Sequence, residues 1–121
     1  MNTSLRAILI DDESISRSTL RTYLEGYCPD VEIVAEGDGV EAGLSAIRKH
    51  QPDLIFLDVE MPYGNAFDLL EQVENITFET IFVTAYSQYA LKALTLSAAY
   101  YLLKPVDVEE LVEAVGKVKE N

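Results

Sequence analysis

The 121-residue sequence has little that would staple, anchor or address it. It contains one cysteine, Cys28, so an internal disulfide framework is excluded and a reducing compartment fits. No apolar stretch approaches the ~20 residues that a membrane span needs. Met1-Asn2-Thr3-Ser4 is polar, and the apolar run after it is too short for a secretory signal, so the expected location is cytoplasmic. Basic residues are scarce: 9 Lys and Arg stand against 21 Asp and Glu, for a net charge of −12. A field of that sign repels phosphate backbones and anionic lipid. Neither direct nucleic-acid binding nor membrane binding is expected, whereas cations and basic partner surfaces are attracted. No linker, internal repeat or low-complexity tract divides the chain, which reads as a single domain over 1–121.

What is present is a core. Hydrophobic residues make up 49% of the sequence, a globular composition. Short aliphatic runs with few charges recur at Arg6–Ile10, Val31–Ala35, Leu54–Leu57, Thr80–Val83 and Tyr100–Leu103. Such runs suit strands covered on both faces. Helical spacing lies between them. Ile15, Leu20 and Leu24 share a face over about 14–25, and Val40, Leu44 and Ile47 over about 39–50. Phe67, Leu70 and Val73 mark a third helix, Leu91, Leu94 and Leu96 a fourth, and Val108, Leu111, Val112 and Val115 a fifth. Asp107 is placed to cap the last, and Pro29 and Pro52 punctuate earlier ends. Five strands alternating with five helices predict an α/β fold, a doubly wound parallel sheet. Ligands of such sheets sit at the carboxyl ends of the strands.

The polar residues fall at those ends. The first strand, AILI, runs into three acids, Asp11, Asp12 and Glu13. Asp58 closes the third strand in LIFLDVEMP, Thr84 the fourth in TIFVTAY, and Lys104 the fifth in YYLLKP. Clustered carboxylates resist ionising together without a cation. Mg²⁺ answers that need, because it takes carboxylate oxygens and shares its shell with phosphate. A cation, a lysine and a hydroxyl are what a transferring phosphoryl group requires, and a carboxylate can then act as nucleophile.

DD after strand 1, LDVEMP around strand 3, TA after strand 4 and KP after strand 5 resemble the receiver domain of two-component response regulators. The likeness runs from Ile8 to about Val118, and four motifs in order at these spacings are specific. It implies a flavodoxin-like fold with strand order 2-1-3-4-5. Asp58 would be the phosphoacceptor. Asp12 and Asp58 would ligate Mg²⁺ by side chain, Glu60 by its backbone carbonyl, and Asp11 through a metal-bound water. Thr84 and Lys104 would bind the phosphoryl oxygens. The Lys104–Pro105 bond would be cis. Tyr101 would be the aromatic switch residue, turning as Thr84 moves and altering the surface of helix 4, strand 5 and helix 5. The partners implied are a sensor histidine kinase, a C-terminal DNA-binding output domain in a longer protein, and a second copy in a phosphorylation-dependent homodimer. The chain is then either a stand-alone receiver or one excised from a regulator, and a phosphoacceptor rather than an enzyme. The segment VTAYSQYALKALTLSAAYYLLKP is similar to receivers joined to LytTR-type DNA-binding domains.

The sequence departs from the family at two places. Ala66 stands where the family has glycine, which points to a locally different loop after strand 3. Tyr100 replaces an aspartate that joins salt bridges in the active dimer of one branch. Gly37-Asp38-Gly39-Val40-Glu41-Ala42-Gly43 looks like a dinucleotide fingerprint, but its spacing is G-x-G-x-x-x-G, so it reads as a turn. His50 reads as a favourable charge at a helix end. A haloacid dehalogenase phosphatase needs D-x-D where Asp11-Asp12-Glu13 stands, and a flavodoxin needs a phosphate-accepting loop there. The remaining alternative is a phosphate-independent interaction module.

Overall fold

The computed structural model describes residues 4–120. In chain order the elements are β1 (Leu5–Ile10), α1 (Ser14–Tyr27), β2 (Val31–Gly37), α2 (Val40–His50) and β3 (Leu54–Leu57). A small hairpin follows, β4 (Glu60–Met61) and β5 (Gly64–Asn65), then α3 (Ala66–Glu71) and β6 (Glu79–Thr84). A 3₁₀ turn at Ser87–Tyr89 leads into α4 (Ala90–Thr95), β7 (Tyr100–Leu103) and α5 (Val108–Glu120). The main sheet is parallel and five-stranded, in the order β2-β1-β3-β6-β7. Without the hairpin this is the expected 2-1-3-4-5.

Side chains alternate across each strand, so the sheet has two buried faces. Ile8, Ile10, Ile55, Leu57 and Phe82 pack toward α2, α3 and α4. Ala7, Leu9, Phe56, Ile81, Val83 and Leu102 pack toward α1 and α5. That is why these strands read as continuous apolar runs rather than alternating ones.

The helix ends follow from local chemistry. Asp107 caps α5, its carboxylate accepting from the Glu110 amide at 3.0 Å. Asn65 and Asp68 form a reciprocal capping box on α3, at 3.0 and 2.9 Å. His50 is the last residue of α2, and its carbonyl accepts from Arg6 at 2.6 Å. The glycine-rich stretch is the β2–α2 turn. A Cβ on Gly37 would meet the Gly43 backbone nitrogen at 2.9 Å, so the glycines are there for close approach.

Four expectations need correction. The fourth helix was expected to carry Leu91, Leu94 and Leu96 on one face; they are 75%, 67% and 48% exposed, Leu96 falls past the helix end, and Ala93 is the residue turned inward. Helix α4 is only six residues long, and its two leucines, Leu91 and Leu94, face solvent. Ile15 and Val112 are exposed as well. The third helix stops at Glu71, leaving Val73 beyond it. Ala66 opens α3, fully buried, and the left-handed backbone of this loop falls one turn earlier, on Tyr63 (φ 64°) and Gly64 (φ 151°). The alanine is therefore accommodated without the conformation it dislikes.

Candidate functional site

Three of the polar residues are placed by the sheet itself, each one step beyond its strand. The amide of Asp11 donates to Gly37 on β2 at 3.0 Å, that of Asp58 to Ile10 on β1 at 3.0 Å, and that of Lys104 to Thr84 at 2.8 Å. Each residue thus continues the parallel ladder by one bond, and its side chain emerges at the carboxyl edge. Thr84, the last residue of β6, lies beside them, fully buried. The Lys104–Pro105 peptide is cis.

Lys104 is the hub. Its Nζ donates to Asp11 Oδ2 at 2.8 Å and to Asp58 Oδ2 at 3.2 Å, and lies 3.6 Å from Glu13 Oε1. Burial alone would lower the lysine's pKa. The Asp11 hydrogen bond and the Asp58 charge outweigh that and hold it above its ordinary value, so the ammonium is fixed. For Asp11 the balance reverses. Burial pushes its carboxyl up, against the bonds from Lys104 and the Glu13 amide. Asp58 is 6% exposed, and its Oδ1 is the one buried side-chain polar atom among the described residues with no hydrogen-bond partner. An orphaned carboxylate oxygen in such a place calls for an explanation.

Asp12 is exposed at the rim. One carboxylate oxygen from each of Asp11, Asp12 and Asp58 falls within 4.8 Å of the others. A hard divalent cation matches this oxygen-only donor set, and it would give Asp58 Oδ1 the partner it lacks. A cavity of about 220 Å³ opens beside Asp58 and Lys104, between α1 and the turn after β7, walled by Leu20, Phe56, Val83 and Val106.

Tyr101 lies half-buried on β7. Its ring is 5.8 Å from that of Phe82, and its hydroxyl donates to the Tyr86 carbonyl. Glu60 sits on the hairpin, its carboxylate accepting from the Tyr89 hydroxyl at 2.6 Å. Tyr100 donates to Glu113 at 2.9 Å.

Two contacts at the site escaped the sequence reading. Arg17 donates to the Asp11 carbonyl at 2.5 Å while pairing with Glu36 at 2.8 Å, which braces the turn that carries the acids. Nothing in the spacing marked Arg17, because it lies on α1 and its partner Glu36 on β2. Tyr89 was equally hidden, since the path from Thr84 to Tyr89 passes through an irregular turn.

Comparison with known proteins agrees with this architecture. Residues 7–116 match the response regulator receiver domain family. The sensory transduction protein LytT of Bacillus anthracis is 38% identical over 97% of the chain, and the transcriptional regulatory protein BtsR of Escherichia coli is 32% identical over 97%. The matched region is 48% and 49% of those relatives, so the chain spans about half their length. The receiver domain of AraT, a response regulator from Geobacillus stearothermophilus, superposes with a TM-score of 0.87 at 32% identity, covering 98% of this chain and 95% of that one. A DNA-binding response regulator of the LuxR family from Staphylococcus aureus gives 0.84 at 27% identity, covering 94% and 98%. No described helix is long and apolar enough to cross a membrane. With the sheet order, the acidic cluster and these relatives in agreement, the chain belongs to the response regulator receiver domain family, in the company of LytT-type regulators.

Proposed function

We propose that this chain is a phosphorylation-activated switch in which Asp58 accepts a phosphoryl group from a sensor histidine kinase. The observation that carries the reading is Asp58 itself. One carboxylate oxygen is tied to Lys104 at 3.2 Å, and the other is buried with no partner. The first is held by Lys104 and the second is left open for a cation, so the carboxylate is fixed in place without being fully paired within the protein.

In the transfer, an Asp58 oxygen forms a bond to phosphorus. The bond from phosphorus to the donor's imidazole nitrogen breaks, and its electron pair stays on that nitrogen. Lys104 Nζ, already fixed at the acceptor, neutralises charge on the phosphoryl oxygens, and the Thr84 hydroxyl donates to one of them. Mg²⁺ would be held by Asp12 and Asp58, with the Glu60 carbonyl and, through water, Asp11; when bound it supplies further positive charge for the phosphoryl oxygens. Burial keeps bulk water from the Asp58 carboxylate.

The consequence is a change of surface. Thr84 moves toward the phosphoryl group, the Tyr86 carbonyl follows, and Tyr101 loses its present acceptor and turns. Helix α4 is short and holds the fold through Ala93, so it shifts at low cost. The face of α4, β7 and α5, with exposed Leu91, Leu94 and Leu103, then changes its affinity for a second copy or for a C-terminal DNA-binding output domain in a longer protein. The domain itself, at a net charge of −12, leaves DNA to that output domain and works in the cytoplasm.

Phosphorylation with a small donor tests the reading. Acetyl phosphate and Mg²⁺ are expected to label the wild type and not Asp58→Asn. In Lys104→Ala, labelling is expected without the change in the α4–β7–α5 surface, read as backbone chemical shifts. An unlabelled wild type, even with a histidine kinase present, would favour the phosphate-independent interaction module.

A further inference from the structure

Asp11 and Asp12 are consecutive, and consecutive side chains of an extended strand point to opposite faces. Here they converge: one carboxylate oxygen of each lies within 4.8 Å of the other and of one from Asp58. The chain therefore leaves its extended path between them, and it bends at Asp12. The peptide unit that joins the two residues is planar, so the direction of its carbonyl also sets the direction in which the backbone reaches Asp12.

That carbonyl is held from outside the loop. Arg17, near the start of α1, donates from Nη1 to the Asp11 carbonyl at 2.5 Å and from Nε to Glu36 Oε1 at 2.8 Å. Glu36 lies on β2 in register with Leu9 of β1, and its other oxygen accepts from Arg21 Nη2 at 2.6 Å. The edge of the sheet thus orients the guanidinium, and the guanidinium grips the peptide. A planar fork makes both bonds at once, which the point charge of a lysine does not.

The three carboxylates differ in how they are aimed. Asp11 and Asp58 both accept from Lys104, and Asp11 accepts from the Glu13 amide as well. The Asp12 carboxylate accepts from no donor among the described residues, so its aim rests on the backbone alone. The Asp11–Asp12 peptide is the last piece of that backbone before it, and Arg17 is what holds the peptide.

We infer that Arg17 is a positioning residue for the cation site: by fixing the Asp11–Asp12 peptide it turns the Asp12 carboxylate toward the point that Asp11 and Asp58 face. The inference rests on the Mg²⁺ site of the proposed function. Groups behind a metal's ligands that orient them typically carry tenfold to a hundredfold in metal affinity.

The sign of the effect separates positioning from charge. A guanidinium repels a nearby cation, so removing its charge alone tightens Mg²⁺ binding, whereas losing its grip on the peptide weakens it. Mg²⁺ alone is titrated into the metal-free chain and followed by backbone amide chemical shifts, with no phosphodonor present. Denaturant unfolding without metal reports on folding. Arg17→Met keeps the apolar stem and removes both donors, and it is expected to bind Mg²⁺ about tenfold more weakly than wild type. Arg21→Met also strips a donor from Glu36 but leaves the Asp11 carbonyl gripped, and it is expected to stay within about twofold of wild type. Where Arg17→Met does not fold, Arg17→Lys, which keeps the charge and loses the fork, takes its place and is expected to bind more weakly than wild type. Wild-type or tighter affinity in the Arg17 variant overturns the inference alone, as does an Arg21→Met loss as large as that of Arg17→Met, which would assign the effect to the α1–β2 brace in general. A wild type that binds no Mg²⁺ overturns the proposed cation site and this inference together.

Discussion

At the residue scale the decisive asymmetry is between two aspartates. Asp11 has both oxygens engaged, one by the Glu13 amide and one by Lys104. Asp58 has one engaged and one unpaired. Position at a strand end is common to both acids, and it is the fold that engages both oxygens of Asp11 and leaves one oxygen of Asp58 unpaired. The same accounting yields a metal prediction. If Asp12 completes a cation site, Mg²⁺ stabilises the folded chain by mass action, by about 2.7 kcal/mol at a hundredfold excess over its Kd. Thermal unfolding with and without Mg²⁺ checks this, and Asp12→Asn is expected to abolish most of the gain. A second prediction concerns Glu36. Burial would raise its carboxyl pKa, but hydrogen bonds from Arg21 and Arg17 outweigh that and hold it below the ordinary glutamate value. A depressed carboxyl contributes stability that is complete above its unfolded pKa and is lost as pH falls through the folded one. Denaturant unfolding between about pH 5 and pH 2 is therefore expected to show a shallower loss in Glu36→Gln than in wild type.

At the element scale the strands and the helices were not equally legible. Strands buried on both faces announce themselves as unbroken apolar runs, and Leu54–Leu57, in LIFLD, is a case in point. Its length, its type and the residue after it could all be read. Helix α4 was misread because Leu91 and Leu94, one turn apart, have the spacing of a buried face yet are exposed, while Leu96 lies beyond the last helical residue, Thr95. Periodicity reports that a stripe exists, not whether this domain covers it. The β4–β5 hairpin left no signal, since two-residue strands have no period and the turn depends on a left-handed Tyr63. Two substitutions probe these points. Gly37→Ala forces a Cβ to within 2.9 Å of the Gly43 backbone and is expected to cost about 1–3 kcal/mol in denaturant unfolding. Leu94→Ser, on the exposed face of α4, is expected to change stability by no more than about 0.5 kcal/mol, whereas a loss of several kcal/mol would mean that Leu94 is buried.

At the scale of the whole molecule, doubly wound topology explains why four separated motifs make one site. Parallel strands all point the same way, so residues far apart in sequence share one edge: Asp11 and Lys104 are 93 residues apart and joined by a hydrogen bond of 2.8 Å. That convergence was legible from strand ends alone. The arrangement of aromatic residues beside it, with Tyr89 on Glu60 and Tyr101 on Tyr86, was not, because it depends on the irregular path between β6 and α4. The account stands on Asp58 as the acceptor, and the most direct measurement is the intact mass of the purified chain after incubation with acetyl phosphate and Mg²⁺, with Asp58→Asn alongside. A gain of one phosphoryl group, about 80 Da, in the wild type only is the result expected of an aspartyl phosphate. No gain in the wild type, or an equal gain in Asp58→Asn, would contradict it.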